Sequence, residues 1–199
     1  MANHETMTFG GQEWLVLEKQ GDKALLLLKH LIQQNDFKYS DYIYVELRWE
    51  NNPLRAWLND QYYNSFSASD RERILLTELE NAPSPWYGIN GGSDTKDHIF
   101  FLSLWDLVKY FGDSGQLAKG DSEGLTTKGK IKDQYDKARI ATDEAGKKRE
   151  WMLRTIGWEV GSHLPINYFV SISKKGVVMV FGYGPADFPQ LRPAMWVKI

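Results

Sequence analysis

The sequence predicts a single α+β domain, in which short helices pack on a twisted, mostly antiparallel sheet and long loops connect the elements. Three observations carry this prediction. Short apolar runs separated by glycine-containing turns occur near both ends of the chain and indicate antiparallel strands. Capped segments with helically spaced apolar residues occupy the middle. The 199 residues suit one domain spanning 1–199, and no break in composition marks a boundary.

The first predicted element is a β-hairpin. Residues 14–18 alternate loosely between apolar and polar, residues 20–22 are the turn-forming sequence Gln-Gly-Asp, and residues 24–32 are strongly apolar. Residues 33–48 are mixed in character and are interpreted as a loop.

The segment WENNPLRAWLN, residues 49–59, predicts a helix that begins after Asn52. The Asn52 side chain can accept a hydrogen bond from a free amide of the first turn, and Pro53 suits the first helical position because its missing N–H would have no partner there. Four residues at helical spacing then share one face: Leu54, Trp57, Leu58 and Tyr62.

Two more helices are predicted in the middle of the chain. Ser69 and Glu72 have the spacing of a capping box and indicate a second short helix. Residues 81–97 are rich in Pro, Gly, Asn and Ser and are interpreted as a loop, and the apolar residues 98–102 as a strand. A third helix is predicted from Ser103 at its N-cap to a stop at Gly112.

The last part of the chain is predicted to be β structure. Residues 113–149 are polar and nearly balanced in charge, so they are interpreted as a solvated insertion with some helix around 131–140. Two loops rich in glycine, proline and aromatic residues are expected at 157–167 and 182–192. The expected strands span 151–156, 168–173, 177–181 and 194–199.

Composition removes several classes of function. The formal net charge of −2 supplies no field that would attract nucleic acid. There is no cysteine for a thiolate metal site or nucleophile, the four histidines are scattered, and nucleotide-binding glycine motifs are absent, so we expect no metal, cofactor or nucleic-acid partner. The longest apolar run, residues 24–28, is too short to cross a bilayer. We expect a cytoplasmic, particle-bound or exported and trimmed protein, of undetermined oligomeric state.

Aromatic residues, at 14% of the chain, raise the expectation of a binding protein. Trp57, Trp105 and Trp151 have apolar neighbours within predicted elements and are interpreted as core. Aromatic residues in or beside the loops are interpreted either as loop packing or as ligand contacts: Trp86, Tyr87, Trp158, Tyr168 and Tyr183. Polar candidates for hydrogen bonds to the same ligand are Glu159, Asn167 and Asp187.

Four charged residues adjoin tryptophan or other apolar positions: Glu50, Arg55, Arg154 and Arg192. Unpaired charges in such surroundings would be costly. We therefore predict that Glu50 pairs with at least one of these arginines and fastens the first helix to the C-terminal sheet. Together with Trp57, they are expected to be structural residues rather than a site.

An ordered set of sequence blocks covers nearly the whole chain: FGGQEWLVL, ALLLLKHLI, WENNPLRAWLN, HIFFLSLWDLVKYF, WMLRTIG and LRPAMWV. The set resembles an uncharacterised bacterial domain family of Firmicutes and their phages. The sequence departs from that family at Thr155-Ile156, where Ser-Pro is usual, and at Leu191, where Val is common.

That family looks like a distant relative of the C-type-lectin fold, shared by formylglycine-generating enzymes and phage receptor-binding proteins. The resemblance implies a C-type-lectin-like domain with adjacent N- and C-terminal strands and a recognition face on the late loops. It does not imply formylglycine chemistry, which relies on cysteine, or calcium-dependent sugar binding, because the Glu-Pro-Asn and Trp-Asn-Asp motifs are missing.

The expected function is non-catalytic recognition of a glycan, peptide or protein surface, with no catalytic residue assigned. Two alternatives stay open. One is a glycan-acting enzyme that uses Asp187 or Glu159 as acid or base, which a deep pocket with two close carboxylates would favour. The other is a structural component of a phage or surface assembly, which a large apolar patch or a stable oligomer would favour.

Overall fold

A computed structural model describes residues 4–33, 46–86, 88–119, 129–157, 168–183 and 190–199. The described chain is a mixed α+β structure with mostly antiparallel sheets and a few short helices, as the sequence predicts. Tyr87 and the loop residues Trp158, Glu159, Asn167 and Asp187 lie outside the described residues.

The first sheet joins the two ends of the chain. Its strands run antiparallel in the order β1-β2-β3-β13. The hairpin of β2 and β3 confirms the first predicted element, and Gly21 supplies the positive φ of 60° that its turn requires. In the last pair, Ala194 lies opposite Leu27 and Lys198 opposite Lys23. The strand bounds are β1 Thr6–Phe9, β2 Gln12–Gln20, β3 Lys23–Leu28 and β13 Ala194–Lys198.

The second sheet contains the remaining long strands, in the antiparallel order β10-β11-β12-β7. Every residue of β10 is buried, and β11 is also buried throughout, which explains their nearly continuous apolar sequences. The bounds are β7 Lys130–Ile131, β10 Trp151–Ile156, β11 Phe169–Ile172 and β12 Val178–Tyr183.

Two smaller sheets complete the β structure. In one, β4 pairs parallel to β8, and β8 forms a hairpin with β9. In the other, β5 and β6 pair antiparallel. The bounds are β4 His30–Leu31, β5 Thr77–Leu79, β6 Thr95–Asp97, β8 Ala141–Asp143 and β9 Lys148–Arg149.

The helices are short, and their caps follow local sequence signals. A 3₁₀ turn at Trp49–Asn51 leads into α1, and a π-helical segment, Leu58–Tyr62, continues it. The predicted Asn52 cap is confirmed, since its side chain accepts from the Leu54 amide at 2.9 Å. The helix bounds are α1 Pro53–Trp57, α2 Ala68–Arg71, α3 Leu104–Phe111, α4 Gln116–Lys119 and α5 Asp136–Arg139.

The other two caps differ in outcome. The α3 capping box is confirmed, because the Asp106 amide donates to Ser103 Oγ at 3.1 Å and the Ser103 amide donates back to the Asp106 carboxylate at 2.8 Å. For α2 the predicted cap is wrong by two residues: Ser67, rather than Ser69, accepts from the Asp70 amide. Both serines precede an acidic residue at a usable spacing, so local sequence alone did not separate them.

The predicted strand 98–102 is wrong, although the segment is buried from Ile99 to Leu102. Its backbone groups bond elsewhere. Asn59 Oδ1 accepts from the His98 amide at 2.7 Å and Asn59 Nδ2 donates to the Ile99 carbonyl at 2.8 Å, while Phe100 forms one isolated bridge to Ala194. Nor are residues 81–97 wholly a loop, because β6 occupies their end.

The polar segment 113–149 is more integrated than a solvated insertion. Its described parts contribute β7 to the second sheet and bury Leu117, Ile131 and Arg139. The polar composition suggested exposure, but Arg139 can be buried because acidic side chains pair with it. A hydropathy pattern does not show such pairing.

Among the described residues, no helix combines the length and apolar character needed to cross a membrane.

Candidate functional site

Arg55 pairs with Asp97, which corrects the predicted partnership with Glu50. Arg55 Nε lies 2.7 Å from the Asp97 carboxylate, which is 1% exposed. Asp97 also accepts from Trp49 Nε1 at 2.9 Å and Thr95 Oγ1 at 2.8 Å. The pair therefore fastens the first helix to β6 rather than to the C-terminal sheet.

Glu50 has a different role. Its backbone carbonyl accepts from Arg55 Nη1 at 3.0 Å, and hydrogen bonds from the Ser93 side chain and amide lower the pKa of its carboxyl group, with smaller contributions from the charges of Arg48 and Arg55. Among the described residues, no ion pair joins the Glu50 side chain to the three predicted arginines. Sequence proximity to apolar residues identified the arginines that need partners but not the partners themselves.

Arg154 is a buried residue of β10 that reaches the start of α3. Its Nη1 donates to the Asp106 carboxylate and to the Phe101 carbonyl, both at 2.8 Å, and Nη2 contacts the Glu80 carbonyl at 3.3 Å. Since Asp106 also completes the capping box, one carboxylate orients both the helix and the arginine.

Arg192 is held by aromatic rings. Its guanidinium carbon lies 4.8 Å from the Trp151 ring centroid and 5.9 Å from that of Phe111, and Nε donates to the Leu28 carbonyl at 3.1 Å. Burial lowers the pKa of Arg192 to about 9. Trp57, the remaining predicted structural residue, is partly buried and stacks on Tyr62 with ring centroids 5.3 Å apart.

A cleft of about 510 Å³ opens where β5, α3 and β13 meet, and we call it the Trp105 cleft. Trp105 lines the cleft and is 39% exposed. Trp196 and Leu25 are side by side in the cleft because they are cross-strand partners in β13 and β3. The remaining lining residues are Thr77, Glu78, Leu79, Glu80, Ala82, Pro83, Phe100, Ser103, Asp106, Tyr110 and Arg154.

The Trp105 cleft combines aromatic surface with hydrogen-bond acceptors. Of its three carboxylates, Asp106 is bonded to Arg154 and Glu78 to Lys96 at 2.7 Å. Glu80 is exposed, and its carboxylate forms no ion pair with any described residue. An apolar indole and a free acceptor therefore face the same space, an arrangement typical of ligand sites.

A smaller recess of about 10 Å³ adjoins the cleft. It is lined partly by Asn81, Gly91, Arg154 and Thr155. Asn81 Oδ1 and Arg154 Nε are buried without a hydrogen-bond partner, so an acceptor and a donor are both free beside the recess. Gly91 must be glycine there, because a Cβ would lie 2.1 Å from the Asn81 carbonyl oxygen.

On α3, Tyr110 lines the cleft and Lys109 precedes it in the sequence. Both side chains form hydrogen bonds to Glu18 of β2. The Glu18 carboxylate accepts from Lys109 Nζ at 2.7 Å and from the Tyr110 hydroxyl. These bonds, together with one from Gln20, lower the pKa of Glu18 from 4.5 to about 2, whereas burial and the Glu18 carboxylate raise the pKa of Tyr110 to about 12. The contact links α3 to the first sheet.

Acid should loosen this contact. Because the pKa of Glu18 is lowered in the folded state, its contribution is fully present above pH 4.5 and is lost as the pH falls toward about 2. We expect the melting temperature of Glu18→Gln to fall less than that of the wild type between pH 5 and pH 2.5. Equal falls in the two proteins, measured by circular dichroism, would contradict the assignment; Glu5→Gln serves as the surface control.

Of the predicted ligand-binding residues, the structure describes Trp86, Tyr168 and the backbone of Tyr183. Tyr168 is described and half-buried, and its carbonyl accepts from the Gly157 amide at 2.8 Å. Trp86 is only 5% exposed and packs in the core. Tyr183 ends β12, but its side chain, like the other predicted loop residues, lies outside the described part. The predicted recognition face on the late loops therefore stays a prediction.

Trp105 was missed because it was interpreted as core, and that interpretation is wrong. Its helix offered a signal: Leu104, Leu107 and Phe111 are spaced to share one buried face, and Trp105 is not in that series. By contrast, Trp151 is fully buried, as predicted. Within the described residues, no cluster of three or more His, Asp or Glu side chains is arranged to hold a metal ion.

Comparison with known proteins assigns the chain to a family. No curated protein and no solved structure matches the chain. Residues 21–199 match DUF6273, a domain of unknown function, so the match takes in every element from β3 to β13 and the whole Trp105 cleft. The chain therefore belongs to the DUF6273 family.

Proposed function

We propose that this domain is a non-catalytic recognition module that binds a glycan in the Trp105 cleft. The observation that carries the proposal is an exposed indole beside a carboxylate without an ion pair, in a cleft of about 510 Å³. A sugar ring has apolar C–H faces that pack on an indole and hydroxyl groups that donate to carboxylates. The Trp105 cleft offers both kinds of contact.

The acceptors in the cleft favour binding over hydrolysis. Glycoside hydrolysis ordinarily needs two carboxyl groups flanking the scissile bond, one as acid and one as base or nucleophile. Asp106 is committed to Arg154 and to the α3 cap. Glu78 and Glu80 are both exposed, and the hydrogen bond from Lys96 lowers the pKa of Glu78, whereas a general acid needs a raised pKa. The described carboxylates of the cleft therefore lack the environment of a catalytic pair.

The proposal includes a C-type-lectin-like arrangement and a bacterial or phage setting. Support for the arrangement comes from the pairing of β13 with β3, which brings the C-terminal strand into the N-terminal sheet, and from the short helices around it. The sequence blocks that resemble the Firmicutes and phage family support the setting.

The test is a glycan array with and without calcium, followed by titration of the best ligand into wild type and Trp105→Ala. We expect Trp105→Ala to weaken binding about tenfold or more, because an aromatic side chain that packs on a ligand commonly contributes over 1.4 kcal/mol. Ile199→Ala is the control, since Ile199 is 47% exposed and does not line the cleft. Circular dichroism verifies folding.

A second variant, Trp158→Ala with Tyr183→Ala, separates the cleft from the late loops. If this double variant loses binding while Trp105→Ala retains it, the binding site lies on the late loops, and its assignment to the Trp105 cleft is wrong. If wild type binds no glycan with or without calcium, the proposed class of ligand is wrong, and a peptide or protein ligand becomes the better candidate.

A further inference from the structure

A second groove, of about 370 Å³, is strongly basic, and we call it the basic groove. Its lining is Gln33, Lys147, Lys148, Arg149, Glu150, Lys174 and Gln190. It shares no lining residue with the Trp105 cleft. Four cations therefore meet one carboxylate here, although the whole chain has a net charge of −2.

The four cations differ in how free they are. Arg149 Nε is bonded to Asp143 at 2.7 Å, and this bond lowers the pKa of the Asp143 carboxyl group, which stays ionised and offsets the arginine. Lys147, Lys148 and Lys174 are exposed and form no ion pair with a described residue. For the lining residues together with Asp143, the excess is two positive charges, and Glu144 of the same turn lies outside the lining.

Two fixed turns hold these lysines. In the β8–β9 hairpin, Asp143 Oδ1 accepts from the Lys147 amide at 2.8 Å and the Gly146 amide donates to the Asp143 carbonyl at 2.9 Å. In the β11–β12 turn, the Gly176 amide donates to the Ser173 carbonyl at 2.8 Å. Lys174 of the second turn lines the same groove as the consecutive cations Lys147, Lys148 and Arg149 of the first, so two hydrogen-bonded turns contribute positive charge to one groove.

We propose that the basic groove binds a small soluble ligand bearing phosphate groups. A lysine ammonium is a compact charge with three donors, suited to phosphate oxygens. The groove is large enough for more than a single phosphate, and Gln33 and Gln190 add neutral amide groups to its lining. Glu150 opposes the anion and limits its affinity.

The probe is inorganic tripolyphosphate, titrated by calorimetry at low salt into wild type and Lys148→Gln/Lys174→Gln. We expect the double variant to weaken binding about tenfold or more, since charge-assisted hydrogen bonds are lost. The matched control is Lys119→Gln/Lys130→Gln, which removes the same charge from exposed lysines outside the groove. We also expect Glu150→Gln to strengthen binding, and Trp105→Ala to leave it unchanged.

Three outcomes would overturn the proposal: no binding of tripolyphosphate to wild type, equal weakening in both lysine pairs, or weaker binding by Glu150→Gln. Vesicles containing phosphatidylglycerol separate the possible sources of phosphate. If the protein binds these vesicles through Lys148 and Lys174 but does not bind tripolyphosphate, the ligand is a lipid headgroup, and the proposal of a soluble ligand is wrong.

Discussion

Asp97→Ala is expected to destabilise the domain by about 3 kcal/mol, because it leaves buried partners without an acceptor. Three donors converge on this carboxylate: Arg55 Nε, Trp49 Nε1 and Thr95 Oγ1. Asp97 is 1% exposed and Trp49 is fully buried, so water cannot replace the lost acceptor without opening the core. Urea denaturation followed by tryptophan fluorescence measures the loss.

Asp97→Asn separates charge from hydrogen bonding at the same position. It keeps one acceptor oxygen but not the charge that pairs with Arg55, so we expect a smaller loss, about 1–2 kcal/mol. Glu78→Ala is the surface control, since the Glu78–Lys96 pair is exposed on both sides, and its urea midpoint should equal that of the wild type. If Asp97→Ala matched this control, Asp97 would not be the anchor of the first helix.

We expect Arg139→Met to lower the free energy of unfolding by about 3–5 kcal/mol, because it leaves two acidic side chains inside the protein without their cationic partner. Arg139 is fully buried and bonds to both oxygens of Asp133, at 2.9 and 3.0 Å, and to the Gly112 carbonyl at 2.6 Å. Asp136 lies 3.6 Å away as a second carboxylate. Removing the guanidinium therefore leaves uncompensated charge and an unpaired carbonyl.

The loss should depend on pH. Burial by itself would raise the pKa of Asp133, but hydrogen bonds from Arg139 and the Tyr135 amide outweigh it, so the pKa is lowered below 3.8. The pairing therefore stabilises wild type at neutral pH and fades as the pH falls through this lowered value. We expect the gap in stability between wild type and Arg139→Met to narrow in acid.

Arg149→Met is a closely matched control. Arg149 bonds to Asp143 six residues earlier, the same spacing as Arg139 and Asp133, but its side chain is 37% exposed. We expect little change in its melting temperature. Equal destabilisation by the two variants would mean that burial does not decide the energetics of these pairs.

Local signals explain which parts of the fold the sequence predicted. Asn52 and Pro53 begin α1, and Ser103 with Gly112 bounds α3, because each cap depends on residues within a few positions. The partners of buried charge are different. Asp97 is 42 residues from Arg55 and Asp106 is 48 from Arg154, and no local pattern indicates such pairs.

The same distinction holds for the candidate site. The apolar segment 98–102 has the composition of a strand, but the Asn59 side chain bonds to the backbone of His98 and Ile99, and Phe100 bonds to Ala194. The Trp105 cleft exists because β3, β5, β10, α3 and β13 meet, and that meeting is a property of the whole fold. Only the exposed position of Trp105 on its helix could have been inferred in advance.

The pairing of β3 with the C-terminal strand has a consequence for how the chain folds during synthesis. Arg192 reaches the Leu28 carbonyl across 164 residues. At about 5–20 residues per second, the ribosome needs roughly ten to thirty seconds after it has made β3 to synthesise Arg192 and the strand that follows it. Until then the apolar edge of β3 lacks its neighbour and is open to pairing with other chains. Closing so long a loop is also slow, so aggregation competes with folding most strongly in that interval.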